Sequence, residues 1–310
     1  MKFLGTAAAD GLPGPFCACR TCQDARRRPE RQRMRSMFML DEKTLIDFGP
    51  DLCAACARQG LDMSALDTVF ITHTHEDHFC PSNAGLIHMS KTRGDKPVDV
   101  YLSEAAYKVV YRMRDAFGDA FTYMDAIKNL DQGLVRLHPV KIGVPFERSG
   151  YQVLAVGTTH QVSPMEAGVN YLFEKAGFKL LYACDTGYYP EETIELLRGC
   201  MTDALVLEST WGNMTEKSTA SHMNCMSFLH MLDISPARFD DPLRLPALLQ
   251  AQFLPEYEDR IRQLMKRLAQ MGKGLELNTV GRGIPWAASA RNVGPWISSG
   301  NAAEPACPRQ

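Results

Sequence analysis

A chain of 310 residues with 45% hydrophobic content is long enough for one large core or two ordinary ones, and a formal charge of −2 gives no global pull toward nucleic acid or an anionic membrane. No window approaches the roughly 20 apolar residues that span a bilayer. The opening MKFLGTAAADGLPG has no apolar run long enough for export, so a cytoplasmic protein that does not meet the membrane is expected.

MKFLGT is the first strand-length apolar run. PFCACRTCQ follows, with Cys17, Cys19 and Cys22 in C-x-C-x-x-C spacing. Ten cysteines in a reducing compartment read as small core residues, metal ligands or redox thiols rather than disulfides. Three thiolates so close suit zinc, although a tetrahedral site needs a fourth ligand, and free thiols in an exposed loop are the other reading. Six arginines lie between residues 26 and 35. Such a run is ordinarily a solvated face; its other reading is an attractor for an anionic substrate. SMFML and TLIDFG read as strands, the second ending on Asp47 before Gly49. DLCAACARQGL reads as a helix on which Cys53 and Cys56, three apart, are expected to pack into the core.

DTVFIT is expected to be a buried strand, and HTHEDH follows it directly. Side chains two apart on an extended segment share a face, so His73 and His75 can converge on one point. The turn after them can swing Asp77 and His78 toward a second point a few ångströms away. Imidazole and carboxylate together suit zinc, manganese or iron better than calcium or magnesium. A solvated polar turn is the alternative, and it explains one such histidine more readily than H-x-H-x-D-H in a single run.

Further strands are expected at VDVYLS, LVRLHPV, YQVLAVGT, VNYLFEK, FKLLYACD and DALVLEST, with His160 and Asp185 at strand ends. Helical patterns cover about residues 104 to 117, PEETIELLRG, SHMNCMSFLHML and about residues 255 to 271. Strands in this number with helices between them imply two packed sheets covered by helices, a layered α/β fold. His88, His138 and His230 carry no motif and read as ordinary. From about residue 281 the chain turns Gly, Pro, Ala and Ser rich, as a poorly ordered end would.

HTHEDH, with Asp47, His160 and Asp185 in the same order and context, resembles the metallo-β-lactamase fold hydrolases over about residues 1 to 230. The resemblance implies a four-layer αββα sandwich and a pair of divalent ions, zinc or manganese. His73, His75 and His160 would hold one ion, Asp77 and His78 the other, and Asp185 would bridge them. Two such ions about 3.5 to 4 Å apart acidify a shared water and clamp the attacked group's oxygens, which allows ester hydrolysis without a protein nucleophile. Asp47 would orient a ligand histidine from behind; a plain strand-end carboxylate is its alternative.

The C-x-C-x-x-C segment followed by LIDFGPD is similar to the phosphodiesterase branch that includes the phosphoribosyl 1,2-cyclic phosphate phosphodiesterases. There such cysteines hold a structural zinc. His222 matches a histidine which in that branch, and in related tRNA-processing nucleases, acts near the leaving group. At the start of a helix it could donate a proton to a departing alkoxide; an exposed first-turn histidine is the alternative.

The chain also departs from the pattern. It has no histidine after His230, where the resembled branch closes its second metal site and its structural zinc. Residues 1 to 231 read as the hydrolase domain. Residues 232 to 310 read as a divergent segment of one helix and one strand with a disordered end, faintly similar to the close of histidinol phosphatases of the polymerase and histidinol phosphatase type. The expected function is metal-dependent hydrolysis of a small cyclic or ribosyl phosphodiester. Its alternatives are a weak or inactive protein of this fold that binds metal or ligand, and an RNA-processing nuclease, which the near-neutral charge disfavours. A homodimer is compatible with the sequence.

Overall fold

The computed structural model describes residues 1–117, 133–198, 200, 202–211, 220–224, 227, 231, 247–251 and 275–279. Among them are two sheets. The first comprises β1 (Lys2–Gly5), β2 (Met37–Asp41), β3 (Thr44–Ile46), β4 (Thr68–Phe70), β5 (Val98–Ser103) and β6 (Val135–Val140) in spatial order. It is antiparallel from β1 to β3 and parallel from β3 to β6. The second comprises β7 (Phe146–Arg148), β8 (Tyr151–Ser163), β9 (Glu166–Lys175), β10 (Phe178–Ala183), β11 (Ala204–Ser209), β12 (Ala247–Ala251) and β13 (Leu275–Thr279). Its neighbours are antiparallel from β7 to β10 and parallel from β10 to β13.

The first sheet's strands are apolar on consecutive residues because both of its faces are covered. Met37, Met39, Leu45 and Val69 point outward, while the alternating Phe38, Leu40, Ile46 and Phe70 point at the second sheet. The outer face is covered by α2 (Leu52–Gln59), α3 (Asn83–His88) and α4 (Glu104–Phe117), which bury Leu52, Ala55, Ala84, Ala106 and Val110 there. Between the sheets Phe70 is fully buried, with the rings of Tyr101, Phe146, Tyr171 and Phe173 at 5.0 to 6.3 Å. On the far side α5 (Glu191–Arg198) buries Thr193, Ile194 and Leu197, and Thr193 donates a 2.7 Å hydrogen bond to the carbonyl of Gly157 in β8. The layers are therefore α, β, β, α.

All ten strands read from the sequence are present. β7, β12, α1 (Arg20–Arg27) and α3 lack a clear periodic signal and were not expected. β8 runs on through the polar TTHQVS, so His160 sits inside a hairpin strand rather than at a strand's end. Pairing with β9, irregular between Gly157 and Gln161, carries that extension. Cys53 is exposed, contrary to expectation: the buried stripe of α2 passes through Leu52, Ala55 and Cys56, and Cys53 lies one position off it. His230, the expected helix at about 255 to 271 and the Gly/Pro-rich end lie outside the described residues, as does part of SHMNCMSFLHML. No helix among the described residues is long and apolar enough to cross a membrane.

Candidate metal centre

The chemistry-bearing side chains gather where parallel strands end, the place at which open α/β sheets bind their ligands. Asp47 follows β3, residues 71 to 78 follow β4, and Asp185 follows β10. Asp47 and Asp185 take left-handed backbone angles, φ 63° and 45°, which a short polar side chain tolerates better than most. After His75 the chain folds back, because the N–H groups of His78 and Phe79 both donate to the His75 carbonyl, at 3.0 and 2.8 Å. That turn brings the His78 ring to 4.2 Å from the His73 ring. Gly49 makes room for it: a Cβ there would stand 2.2 Å from the carbonyl oxygen of Asp77.

Three groups of ligating atoms result, each within 4.8 Å: His73 with His75 and His160; His73 with His78 and Asp185; and His160 with Asp185 and His222. His73 Nε2 lies 3.6 Å from Asp185 Oδ2, and His78 Nε2 lies 3.1 Å from the same oxygen. Asp77 Oδ2 is 3.3 Å from His78 Nε2. His160 Nε2 and His75 Nδ1 are 3.1 Å apart, close to the edge of about 3.3 Å that a tetrahedron with Zn–N bonds near 2.0 Å would have.

The Nδ1 atoms of His73, His78, His160 and His222 are tied from behind. Asp47 Oδ2 accepts from His78 Nδ1 at 2.7 Å and its Oδ1 accepts from the N–H of Thr72 at 2.8 Å. His73 Nδ1 meets Thr72 Oγ1 at 3.0 Å, His160 Nδ1 donates to the Ser221 carbonyl at 3.0 Å, and His222 Nδ1 meets Glu208 Oε1 at 2.9 Å. Ligand imidazoles in metal sites are held in this way. His73 Nε2 is buried without a hydrogen-bond partner, at the point where the first two groups meet. A buried polar atom left unpaired is costly. A divalent ion would satisfy it, and the donor set of imidazoles and carboxylates fits one.

Without a metal the charges settle on protons. Burial opposes a charge on His78, but Asp185 and Asp47 outweigh it and hold its pKa well above the ordinary value. Burial would raise Asp185, yet His78 keeps it well below the ordinary carboxylate range. Burial pushes His73 down, and His78 adds to that. At His222 burial again opposes protonation, but the hydrogen bond and charge of Glu208, with Asp185, push its pKa up to about 9.

These shifts set the sign of a pH effect. A histidine raised in the fold stabilises it fully below its unfolded pKa of about 6.5, and that stabilisation is lost as pH rises through the folded value. For His222 that value is about 9. Metal ligation runs the opposite way, because ligand imidazoles must be free of protons. The melting-temperature gap between metal-loaded and chelator-treated protein should therefore widen from about pH 6 to about pH 9. Differential scanning calorimetry checks this, and a constant or narrowing gap would contradict it.

His222 differs from expectation in its setting. Ser221 and His222 form a bend ahead of Asn224, whose side chain accepts the N–H of Ser227 at 3.0 Å, so His222 precedes the helical residues instead of starting them. Glu208, buried at the end of β11, escaped the sequence reading although it has the same signal as Asp185, an acid closing an apolar strand. Its Oε1 also accepts the Thr186 N–H at 3.0 Å. Glu166, buried in the β8–β9 hairpin, escaped as well and left no comparable signal.

Cys17, Cys19 and Cys22 have their sulfurs within 4.8 Å of one another. Burial raises Cys19, but hydrogen bonds from the Cys22 N–H and from the thiols of Cys17 and Cys22 outweigh it and lower its pKa. Burial pushes Cys22 up to about 11. Several of the nearby arginines brace the chain: Arg26 donates to the carbonyls of Cys17 and Gly14, both at 2.7 Å, Arg31 pairs with Asp24, and Arg35 pairs with Asp51 at 2.7 Å. His138 is engaged far from the centre, 2.8 Å from Asp99, which Arg136 and Arg148 also grip.

The family model of the beta-lactamase superfamily domain matches residues 43–238. Among solved structures, the chain is similar to a diphosphatase from the PhnP family, with a TM-score of 0.63 and 21% identity, covering 91% of this chain and 94% of that one. Zinc-bound PqqB from Methylobacterium extorquens has a TM-score of 0.58 and 17% identity, covering 90% and 97%. The short form of human tRNase Z has 0.54 and 18%, covering 80% and 90%. No curated protein matches the chain. The family match spans more than half of the chain and the αββα layering agrees with it, so the chain belongs to the beta-lactamase superfamily and has the metallo-β-lactamase fold, that of a family of metal-dependent hydrolases.

Proposed function

We propose that this chain is a phosphodiesterase that hydrolyses a small cyclic or ribosyl phosphodiester with two divalent ions, zinc or manganese. The observation that supports the reading is a pair of ligand groups that share His73, the second of them ending on Asp185, beside the hydrogen-bonded pair of buried Glu208 and half-buried His222. His73, His75 and His160 would hold one ion and Asp77 and His78 the other, with the carboxylate of Asp185 available to both. When bound, the ions supply positive charge for the phosphoryl oxygens and acidify water. Asp77 orients the attacking water and accepts its hydrogen bond. His222, kept protonated by Glu208, gives its proton to the departing alkoxide. Asp47 fixes the ring of His78. In the same reading Cys17, Cys19 and Cys22 hold a structural zinc. The fold shared with a diphosphatase of the PhnP family supports a phosphorus substrate. The fold shared with a tRNase Z raises RNA as a second substrate class, but a charge of −2 offers no electrostatic footprint for it.

The test of His222 is a contrast between leaving groups. His222→Ala should slow bis(p-nitrophenyl) phosphate little, because p-nitrophenolate leaves without a proton. It should slow a ribosyl cyclic phosphate by about 10²- to 10⁴-fold. Equal losses on both substrates would reduce His222 to a binding or structural role. Wild-type protein inactive on both with added Mn²⁺ or Zn²⁺ would favour a metal-binding protein without hydrolysis.

A further inference from the structure

The β8–β9 hairpin carries His160, while His73 and His75 come from the loop after β4, so the three-histidine group exists only if the hairpin is docked in one place. Three observations lie at that junction. The Val169 N–H donates to the Thr72 carbonyl at 2.8 Å. A Cβ built on Gly168 would stand 3.6 Å from the Cβ of His73 and 3.7 Å from that of His160, so β9 passes directly against both. Glu166, the first residue of β9 and 1% exposed, accepts the N–H of Thr74 at 2.9 Å through Oε1 and the Thr74 hydroxyl through Oε2.

Thr74 is the residue between His73 and His75, so one buried carboxylate grips, through its peptide N–H and its hydroxyl, the residue that sets the relative direction of two candidate ligands. The same glutamate belongs to the hairpin that presents the third. We infer that Glu166 is a positioning residue for the three-histidine metal position: it locks the His73–Thr74–His75 backbone to the strand pair bearing His160. The inference rests on the metal-centre reading above. A carboxylate buried to bond one threonine is a poor way to stabilise a fold, because burying it forfeits its hydration and no lysine or arginine among the described residues pairs with it. Fixing a backbone at a site that must hold its geometry within fractions of an ångström is a sufficient reason for it.

The experiment compares Glu166→Gln, Glu166→Ala and wild type for Zn²⁺ affinity by competition with a chromophoric chelator, at a temperature where circular dichroism shows all three folded. Glu166→Ala should weaken zinc at the three-histidine position, measured in protein whose Cys17, Cys19 and Cys22 are replaced by Ser, about 10- to 100-fold, the range found when outer-shell partners of ligands are removed. Glu166→Gln, whose amide oxygen can still accept the Thr74 N–H, should recover most of that loss. A merely structural role would lower the melting temperature of Glu166→Ala and leave its zinc dissociation constant unchanged, and that result would overturn the inference. If Glu166→Ala does not fold, Glu166→Gln and Thr74→Val serve instead: each should weaken zinc by a smaller factor, and wild-type affinity in both would overturn it. Failure of the wild type itself to bind zinc would sink the metal-centre reading and is seen separately, in the first titration.

Discussion

Asp77→Ala should lower hydrolysis of bis(p-nitrophenyl) phosphate by several orders of magnitude, the largest loss on that substrate expected of any single substitution here. Asp77 Oδ2 lies 3.3 Å from His78 Nε2, a member of the second ligand group. Burial would raise its carboxyl, but the hydrogen bond and charge of His78 hold its pKa below the ordinary value, so it is ionised at neutral pH. In the proposed mechanism, removing it would take away both a ligand for the second ion and the acceptor that orients water. Losses of about 10³-fold or more follow when a group serves two such roles at once. Steady-state kinetics at saturating Mn²⁺ or Zn²⁺ measures the effect, and a change of less than about tenfold would contradict the role.

Asp47→Ala should have the largest effect on stability. Asp47 is fully buried and accepts from His78 Nδ1 and from both the N–H and hydroxyl of Thr72, and His78 is itself buried. Breaking a buried charged pair from one side costs about 3–5 kcal/mol. Alanine must also adopt a positive φ there, which adds about 1 kcal/mol or more. Asp47→Asn keeps an acceptor and tolerates the backbone angle, so it should be clearly milder. Urea denaturation of metal-free protein separates the two variants, and a loss below about 1 kcal/mol for Asp47→Ala would show that the pairing is not what orders this loop.

The sequence displays the first part of this centre because it is local. HTHEDH crowds titratable groups that a plain turn has no use for, and Asp47 and Asp185 each end an apolar run. Glu208 ends an apolar run too, but Ser209 and Thr210 after it give it the look of an ordinary turn. Glu166 has no local mark: its partner Thr74 is 92 residues away, and only the docked hairpin joins them. The same division holds for the fold. Runs such as SMFML and DTVFIT announce strands covered on both faces. β12 is built from Ala-Leu-Leu-Gln-Ala, residues that favour helices, and only parallel pairing with β11 and β13 makes it a strand. β7 is three residues long and rests on β8.

Elemental analysis decides whether the histidine and aspartate cluster is a two-metal centre. Wild-type protein purified without chelator should hold divalent metal, zinc or manganese, that is absent from the double variant His73→Ala/His75→Ala. That variant deletes the unpartnered Nε2 where the two groups meet and a second donor of the first group. Metal attached to the three cysteines should stay. A double variant that is folded and carries the same metal content as the wild type would contradict the assignment of the centre.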